Sequence, residues 1–334
     1  MPLDRGNAMD VIIKNYLTSL RLEEAQQFKN MAAFPIFTSL DGGPDYLTLK
    51  EALEKAILSV TEVSSGGSVP ELKVTNKGDT GVLLLDGEEV AGAKQNRVLN
   101  TTILVKEKSE TVIPVSCTEQ GRWSYVSSSF RDSDTVMSPK LRVEKARTVA
   151  ASLQNTGEYR SDQGTVWREI NRMAAKAETV SQTGAMRDVF QAKMKDLDDY
   201  LKAFTYVPAQ KGLLVLIGGE VLGFDFLSKE KAFEILFPKL IKSYAMEALL
   251  ETKGNGSQPD KSKAETFLRE AAECGEKKYE SVGKGWDFRY EGKTVVGSAL
   301  AVEDKVVHMA FFRVSESDRT GEMASTRQRR RFRL

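Results

Sequence analysis

The sequence predicts an α+β protein made of two related β-rich halves, with mixed or antiparallel sheets and several helices packed on them. Three observations carry this reading. Short runs rich in Val, Ile, Leu and Thr, punctuated by glycine, crowd residues 72–115 and recur within 212–314, as consecutive strands would. Around them, apolar residues repeat at helical spacing. The segment Gly81-Val-Leu-Leu-Leu-Asp-Gly-Glu-Glu-Val-Ala-Gly-Ala93 also aligns with Gly212-Leu-Leu-Val-Leu-Ile-Gly-Gly-Glu-Val-Leu-Gly-Phe224, identical at seven of thirteen positions. Each copy reads as strand, glycine turn, Glu-Val, strand, with glycine where a hairpin needs positive φ. Two unrelated hairpins would also look alike, because hairpins reuse few turn solutions.

The chain divides accordingly. Residues 1–30 hold an N-terminal helix, with Ile13, Leu17 and Leu20 on one face. Residues 31–125 form the first half. It opens with a strand at 31–38 whose Pro35 suggests an edge. A helix then starts at the capping box Thr48-x-x-Glu51, and the strand runs follow. Residues 126–204 begin as a polar, Ser-rich loop, a candidate lid over 127–165 with a short helix near 141–153. Two apolar stripes follow it, Val166 to Ala177 and Phe190 to Phe204. Residues 205–314 form the second half, with the strand pair KGLLVLIGG and EVLGFDFL. A helix comes next, in which Pro238 predicts a kink or a break. A capping box at Ser262-x-x-Glu265 starts another helix, and four strands end the half. Residues 315–334 lose all periodicity and read as a disordered, arginine-rich tail.

Composition sets limits. At 41% hydrophobic and 28% charged, the 334-residue chain is ordinary globular material rather than disordered or collagen-like. A net charge of +1 gives no global field for nucleic acid or an anionic membrane. One histidine and two cysteines are too few for a zinc site, no metal ligands are expected from the motifs, and the motifs name no cofactor. No disulfide framework, apolar leader or 18-residue apolar run is present, so a cytoplasmic protein without a membrane span is expected. Nothing specifies an oligomeric state.

The chemistry concentrates in one polar segment. Lys94, Gln95, Asn96 and Arg97 follow a glycine turn, and Asn100, Thr101 and Thr102 follow within a strand pattern. Amides and hydroxyls pack poorly in a strand but line a polar cavity well. Arginine holds phosphate or carboxylate through a fork of parallel hydrogen bonds. A solvated strand edge with protective charges is the other reading. The copies differ here: Phe224-Asp-Phe-Leu-Ser228 stands where the first has polar residues, so chemistry is assigned to the first half. Glu89 matches Glu220 and is taken as structural. Glu88 has no counterpart and is the better catalytic candidate. Further on, Cys117 reads as a small buried hydrophobe. Glu119 is a candidate general acid or base, or an ion-pair partner for Arg97 or Arg122. Trp123 beside Arg122 offers a stacking surface, or is a core residue. His308 sits among apolar residues as a core histidine.

These strings resemble a known family. Gly87-Glu-Glu-Val-Ala-Gly-Ala-Lys-Gln-Asn-Arg97, Asn100-Thr-Thr-Ile-Leu-Val105, Pro114-Val-Ser-Cys-Thr-Glu-Gln-Gly-Arg-Trp123 and Gln163-Gly-Thr-Val-Trp167 are similar to the domain named for its association with ADP-ribosylglycohydrolases and rhodanese-phosphatase proteins. The resemblance spans about 20–314. It implies NAD or ADP-ribose metabolism, or repair of phosphorylated RNA ends, and so a small anionic, nucleotide-like ligand. Lys94, Asn96, Arg97 and Arg122 are then expected to hold phosphate oxygens, with Gln95, Asn100 and Gln163 as further ligand contacts. Trp123 or Trp167 would stack a base, and Glu88 or Glu119 would move protons in a hydrolase or transferase step. A module that binds or senses without catalysis is the alternative. So is a nucleic-acid scaffold contacting RNA through Arg327, Arg329, Arg330, Arg331 and Arg333, which lie outside the family pattern.

Overall fold

The structure, a computed structural model, describes residues 9–40, 43–64, 66–251 and 258–314. In chain order the first elements are α1 (Val11–Ser19), β1 (Arg21–Leu22), β2 (Gln26–Phe28), β3 (Met31–Phe37), β4 (Tyr46–Thr48), α2 (Leu49–Glu54), β5 (Leu58–Glu62) and β6 (Glu71–Asn76). Then come β7 (Gly81–Leu84), β8 (Glu88–Gly92), β9 (Arg97–Leu99), β10 (Ile103–Val105), β11 (Ser109–Cys117), β12 (Phe130–Val136), α3 (Pro139–Thr156), α4 (Gln163–Lys176), α5 (Met186–Ala192) and α6 (Met194–Ala203). The remainder are β13 (Gly212–Ile217), β14 (Glu220–Leu227), α7 (Glu230–Leu250), α8 (Lys261–Ala272), β15 (Gly275–Glu280), β16 (Trp286–Glu291), β17 (Val295–Val302) and β18 (Lys305–Arg313).

Alternation of side chains along a strand explains the layering. In β13, Leu213 and Val215 face one core while Leu214 and Leu216 face another. The sheet that contains it has nine strands, ordered β1-β3-β13-β14-β18-β17-β16-β15 with β2 also on β3. One face is covered by α1 and α8, the other by α3 and α7 with residues of the first half. The first half forms a six-stranded sheet, β12-β8-β9-β11-β6-β5, and a three-stranded one, β10-β7-β4, in which β4 and β7 run parallel. The edge strands β5 and β12 of the six-stranded sheet curl round into contact, with α2 against both.

The α+β class holds, but several local expectations change. β13 and β14 form a hairpin, whereas β7 and β8, the aligned copy, do not pair and enter different sheets. The cause is local: Gly87 adopts φ 84°, and its N–H bonds to Leu99 O rather than across a hairpin. The duplication in sequence is therefore not a repeated hairpin in space. β3 is not an edge. It lies between β13 and the short strands β1 and β2, and Pro35 falls where that outer neighbour is interrupted. Sequence order put 31–37 in the first half, yet it extends the sheet of the second. The Ser-rich stretch holds β12, paired with β8, and the eighteen-residue α3, so it is not a continuous loop. The helix α7 runs on through Pro238. The Phe190–Phe204 stripe is two helices, α5 and α6, that meet at Lys193. The cap of α8 is Asp260, two residues before the Ser262 of the expected box, its carboxylate accepting from the N–H of Ser262. The box at Thr48 and Glu51 forms as written. The tail arginines 327, 329, 330, 331 and 333 lie outside the described residues.

A buried polar seam joins the two halves. Arg142 on α3 donates a fork to Asp225 on β14, at 2.8 and 2.7 Å, and Tyr244 on α7 donates to the same carboxylate at 2.9 Å. His308 on β18 lies 3.5 Å from Asp225 through Nε2, and its Nδ1 is 2.9 Å from Thr102 Oγ1. Thr102 Oγ1 in turn accepts from the N–H of Asp86, and Asp86 pairs with Lys145, which also reaches Leu99 O. Burial works to raise the Asp225 carboxyl, but Arg142 and the His308 hydrogen bond hold it well below the usual carboxylate range. His308 is thus a core histidine with two polar neighbours.

Candidate functional site

The site begins where β8 ends. A Cβ on Gly92 (φ 135°) would sit 2.7 Å from Ser127 Oγ and 2.8 Å from Ser129 O, so only glycine lets the 126–130 segment pass this close. The chain then turns through 93–96 into β9. Arg122 braces that turn: Nη1 donates to Ala93 O (2.8 Å) and Ser124 O (3.0 Å), and Nη2 to Glu119 Oε2 (2.6 Å) and Asn96 Oδ1 (3.3 Å). Glu119 also accepts from the N–H of Asn96 at 3.2 Å and from Thr183 Oγ1 at 3.0 Å. Burial pushes the Glu119 carboxyl up, but the hydrogen bonds from Arg122, Asn96 and Thr183 outweigh it and keep its pKa below the ordinary value. Glu119 is therefore an ionised anchor for Arg122, the ion-pair alternative of the sequence reading.

Residues 118–121 are also stitched to 183–186, through Gly121 N–H to Thr183 O at 2.7 Å and Met186 N–H to Thr118 O at 2.9 Å. This plants α5 opposite the turn. Between them opens a cleft of about 590 Å³ whose walls include Gly92, Asn96, Glu119, Arg122, Arg131 and Arg187. Arg131 on β12 is exposed and Arg187 on α5 is half-buried. Neither has a hydrogen bond or ion pair within the chain among the described residues.

Glu89 lies behind this wall, on the face of β8 that also carries Ala91 of the cleft. It is fully buried, accepts from Thr118 Oγ1 at 2.5 Å, and leaves Oε2 without a partner. Burial raises its carboxyl to about 7, against the pull of Thr118, Ser133 and Arg187. The match of Glu89 to Glu220 misleads, because Glu220 is exposed and pairs with Lys263. Glu88 points to the opposite face of the same strand, where Lys239 of α7 holds it at 2.8 Å and the N–H of Leu85 at 2.9 Å. Burial raises its pKa too. Strand parity thus removes Glu88 from the cleft and puts Glu89 beside it.

The other expected site residues separate into two groups. Lys94, Gln95, Arg97 and Trp123 form a cluster next to the cleft. Lys94 Nζ lies 5.2 Å from the centre of the Trp123 ring and 5.0 Å from that of Tyr125, and donates to Gly66 O. Arg97 is fully buried, its Cζ 5.6 Å from the Trp123 ring centre; Nη1 reaches Gln95 Oε1 at 3.1 Å, while Nε and Nη2 have no partner. Burial lowers its pKa. Trp123 is 48% exposed, not a core residue. Cys117 donates to Gln95 Oε1 at 3.1 Å, and burial pushes its thiol up to about 11, so it is a buried thiol rather than a thiolate.

Asn100, Gln163 and Trp167 lie apart, at the contact of β11 with α4. Gln163 clamps both backbone groups of Cys117, at 2.7 and 2.8 Å. Asn100 donates to Tyr159 O and accepts from Ser116. Trp167 is half-buried with an unpartnered Nε1. Arg131, Arg187 and Glu89 are the residues sequence reading missed. Arg131 hid in a stretch read as loop, and nothing in sequence announces the pairing of 118–121 with 183–186. Among the described residues no group of three or more His, Cys, Asp or Glu is placed to hold a metal, and no helix is long and apolar enough to cross a membrane.

Fold and cleft together define an α+β protein with one arginine-walled, carboxylate-bearing cleft on its smaller sheets. The model of the ARG and Rhodanese-Phosphatase-superfamily-associated Protein domain matches residues 19–312, and the chain belongs to that family. No curated protein and no solved structure matches the chain.

Proposed function

We propose that the protein binds a small phosphate-bearing, nucleotide-like ligand in the cleft between the β8–β9 turn and α5. The observation that carries this is the pair of guanidinium groups, Arg131 and Arg187, lining one cleft with no hydrogen bond or ion pair among the described residues. Forked guanidinium donors left free in this way suit phosphate oxygens. The expected phosphate ligands shift accordingly. Arg122 spends its donors on the turn and Arg97 is sealed, so Arg131 and Arg187 take the ligand while Asn96 and Arg122 shape the floor. ADP-ribose and NAD, which the family association brings forward, are the first compounds to test. Calorimetric titration of ADP-ribose should show binding that Arg187→Ala weakens at least tenfold. Absence of heat with ADP-ribose, NAD and ribose 5-phosphate alike would refute the reading.

A hydrolase or transferase step would rest on Glu89, a buried carboxyl beside the cleft whose pKa burial raises, since Glu119 is engaged with Arg122. Loss of turnover with retained binding in Glu89→Gln supports catalysis. Binding without turnover in the unaltered protein leaves a sensing module.

A further inference from the structure

Beside the arginine cleft lies a second hollow, of about 620 Å³, and the two share Ser129, Phe130 and Arg131 as a common wall. It occupies the gap where the edge strands β5 and β12 approach without pairing, under α2. Its lining differs in kind. Leu53, Ala56, Leu58 and Phe130 supply apolar surface, and the two aspartates on it are already paired. Asp132 is held by Lys239 at 2.7 Å, and Asp134 by Lys242 at 2.6 Å with Lys50 at 3.8 Å. Away from Arg131 at the junction, these carboxylates and the exposed Glu54 give an anion nothing to gain. An uncharged planar group gains apolar contact, and the two open strand edges carry backbone N–H and C=O groups for its polar rim.

We infer that the two hollows are one bipartite site, and that the second takes the planar base of a nucleotide whose phosphate lies on Arg131 and Arg187. This rests on the phosphate reading above and names the rest of the ligand. Arg131 stands at the junction, in both hollows, where the link between phosphate and base would cross. The aromatic residue expected to stack the base, Trp123, already carries Lys94 and Arg97 against its ring and lines neither hollow. Each hollow falls within the size usual for small-molecule sites.

The test compares ribose 5-phosphate, which fills only the phosphate part, with AMP, the same sugar phosphate carrying adenine. Calorimetry on the full chain should give AMP at least a tenfold tighter binding. Ser59→Trp, on the half-exposed side of β5 facing the second hollow, should bring AMP down to the affinity of ribose 5-phosphate and leave the latter unchanged. Ser59→Tyr serves as the milder filling, and thermal unfolding verifies that each variant folds. Trp123→Ala should preserve the preference. Equal affinities in the unaltered protein, or a preference that survives both fillings or vanishes in Trp123→Ala, overturn the bipartite site while leaving the phosphate reading intact. Failure of both compounds to bind overturns both.

Discussion

In the seam between the halves, Arg142, Asp225, Lys145 and Asp86 each face partners inside the chain, whereas along the cleft Arg131 and Arg187 make no hydrogen bond or ion pair among the described residues. Both regions draw on the same residue types, and both depend on α3 to α5 being packed across the first half. The difference lies in closure. A buried charge met by an opposite one at 2.7 Å is architecture: it fixes how β14 and β18 sit against residues 86–102. A guanidinium on an open cavity that makes no hydrogen bond or ion pair among the described residues keeps its donors available to a ligand. Glu89, with one oxygen unmatched, sits on the boundary between the two conditions.

The contrast is easiest to break in the seam. Asp225→Ala takes from the fully buried Arg142 its hydrogen-bonded carboxylate and leaves only Asp86, at 3.8 Å, and loss of one partner from such a pair costs about 3–5 kcal/mol. Urea denaturation should show that loss or an unfolded chain. A change below about 1 kcal/mol would mean the seam is not holding the halves together.

Glu89 gives the next effect, and its sign follows from the direction of its shift. The folded protein keeps a proton on Glu89 up to about pH 7, whereas the unfolded chain releases it near 4.5. Between these values the folded state binds more protons, so this group makes stability fall as pH rises from 4.5 to 7, and flat above. Glu89→Gln should remove that fall and stabilise the protein at pH 8 by on the order of 3 kcal/mol, with little difference at pH 4. Parallel denaturation curves for the two proteins across this range would show that Glu89 is already ionised.

Smaller effects sharpen the cleft side. Arg187→Ala should leave stability within about 0.5 kcal/mol, yet weaken ADP-ribose by tenfold or more, about 1.4 kcal/mol. Stability lost in proportion to affinity would make Arg187 a structural residue like Arg142. Trp123→Ala, at a half-exposed ring under Lys94, should cost at most about 1 kcal/mol by thermal melting, the range of an exposed cation–π contact.

What sequence revealed and what it hid divide along the same physical line. Strands β13, β17 and β18 were legible because both faces are buried, so apolar runs such as Leu213–Leu216 and Val306–Phe312 stand out. The capping box at Thr48 was legible because it is a local bond. β12 was not, because Phe-Arg-Asp-Ser-Asp-Thr-Val is a poor strand by composition and exists through its pairing with β8, bulge included. Of the polar residues at 94–97 and 119–122, the structure brings Asn96, Glu119 and Arg122 to one cleft. Which carboxylate lies behind its wall, Glu88 or Glu89, turned on strand parity that the alignment with the β13–β14 hairpin obscured. Arg187 depended on a contact sixty-odd residues away in sequence, between Thr118 and Met186, for which no local signal exists.

The sequence has a single histidine, and it stands at the centre of the seam, between Thr102 of one half and Asp225 of the other. Its ring protons give one pair of imidazole signals with no assignment required. The protein therefore carries a native spectroscopic reporter of how its two halves are joined, readable in any variant or with any ligand, without a label.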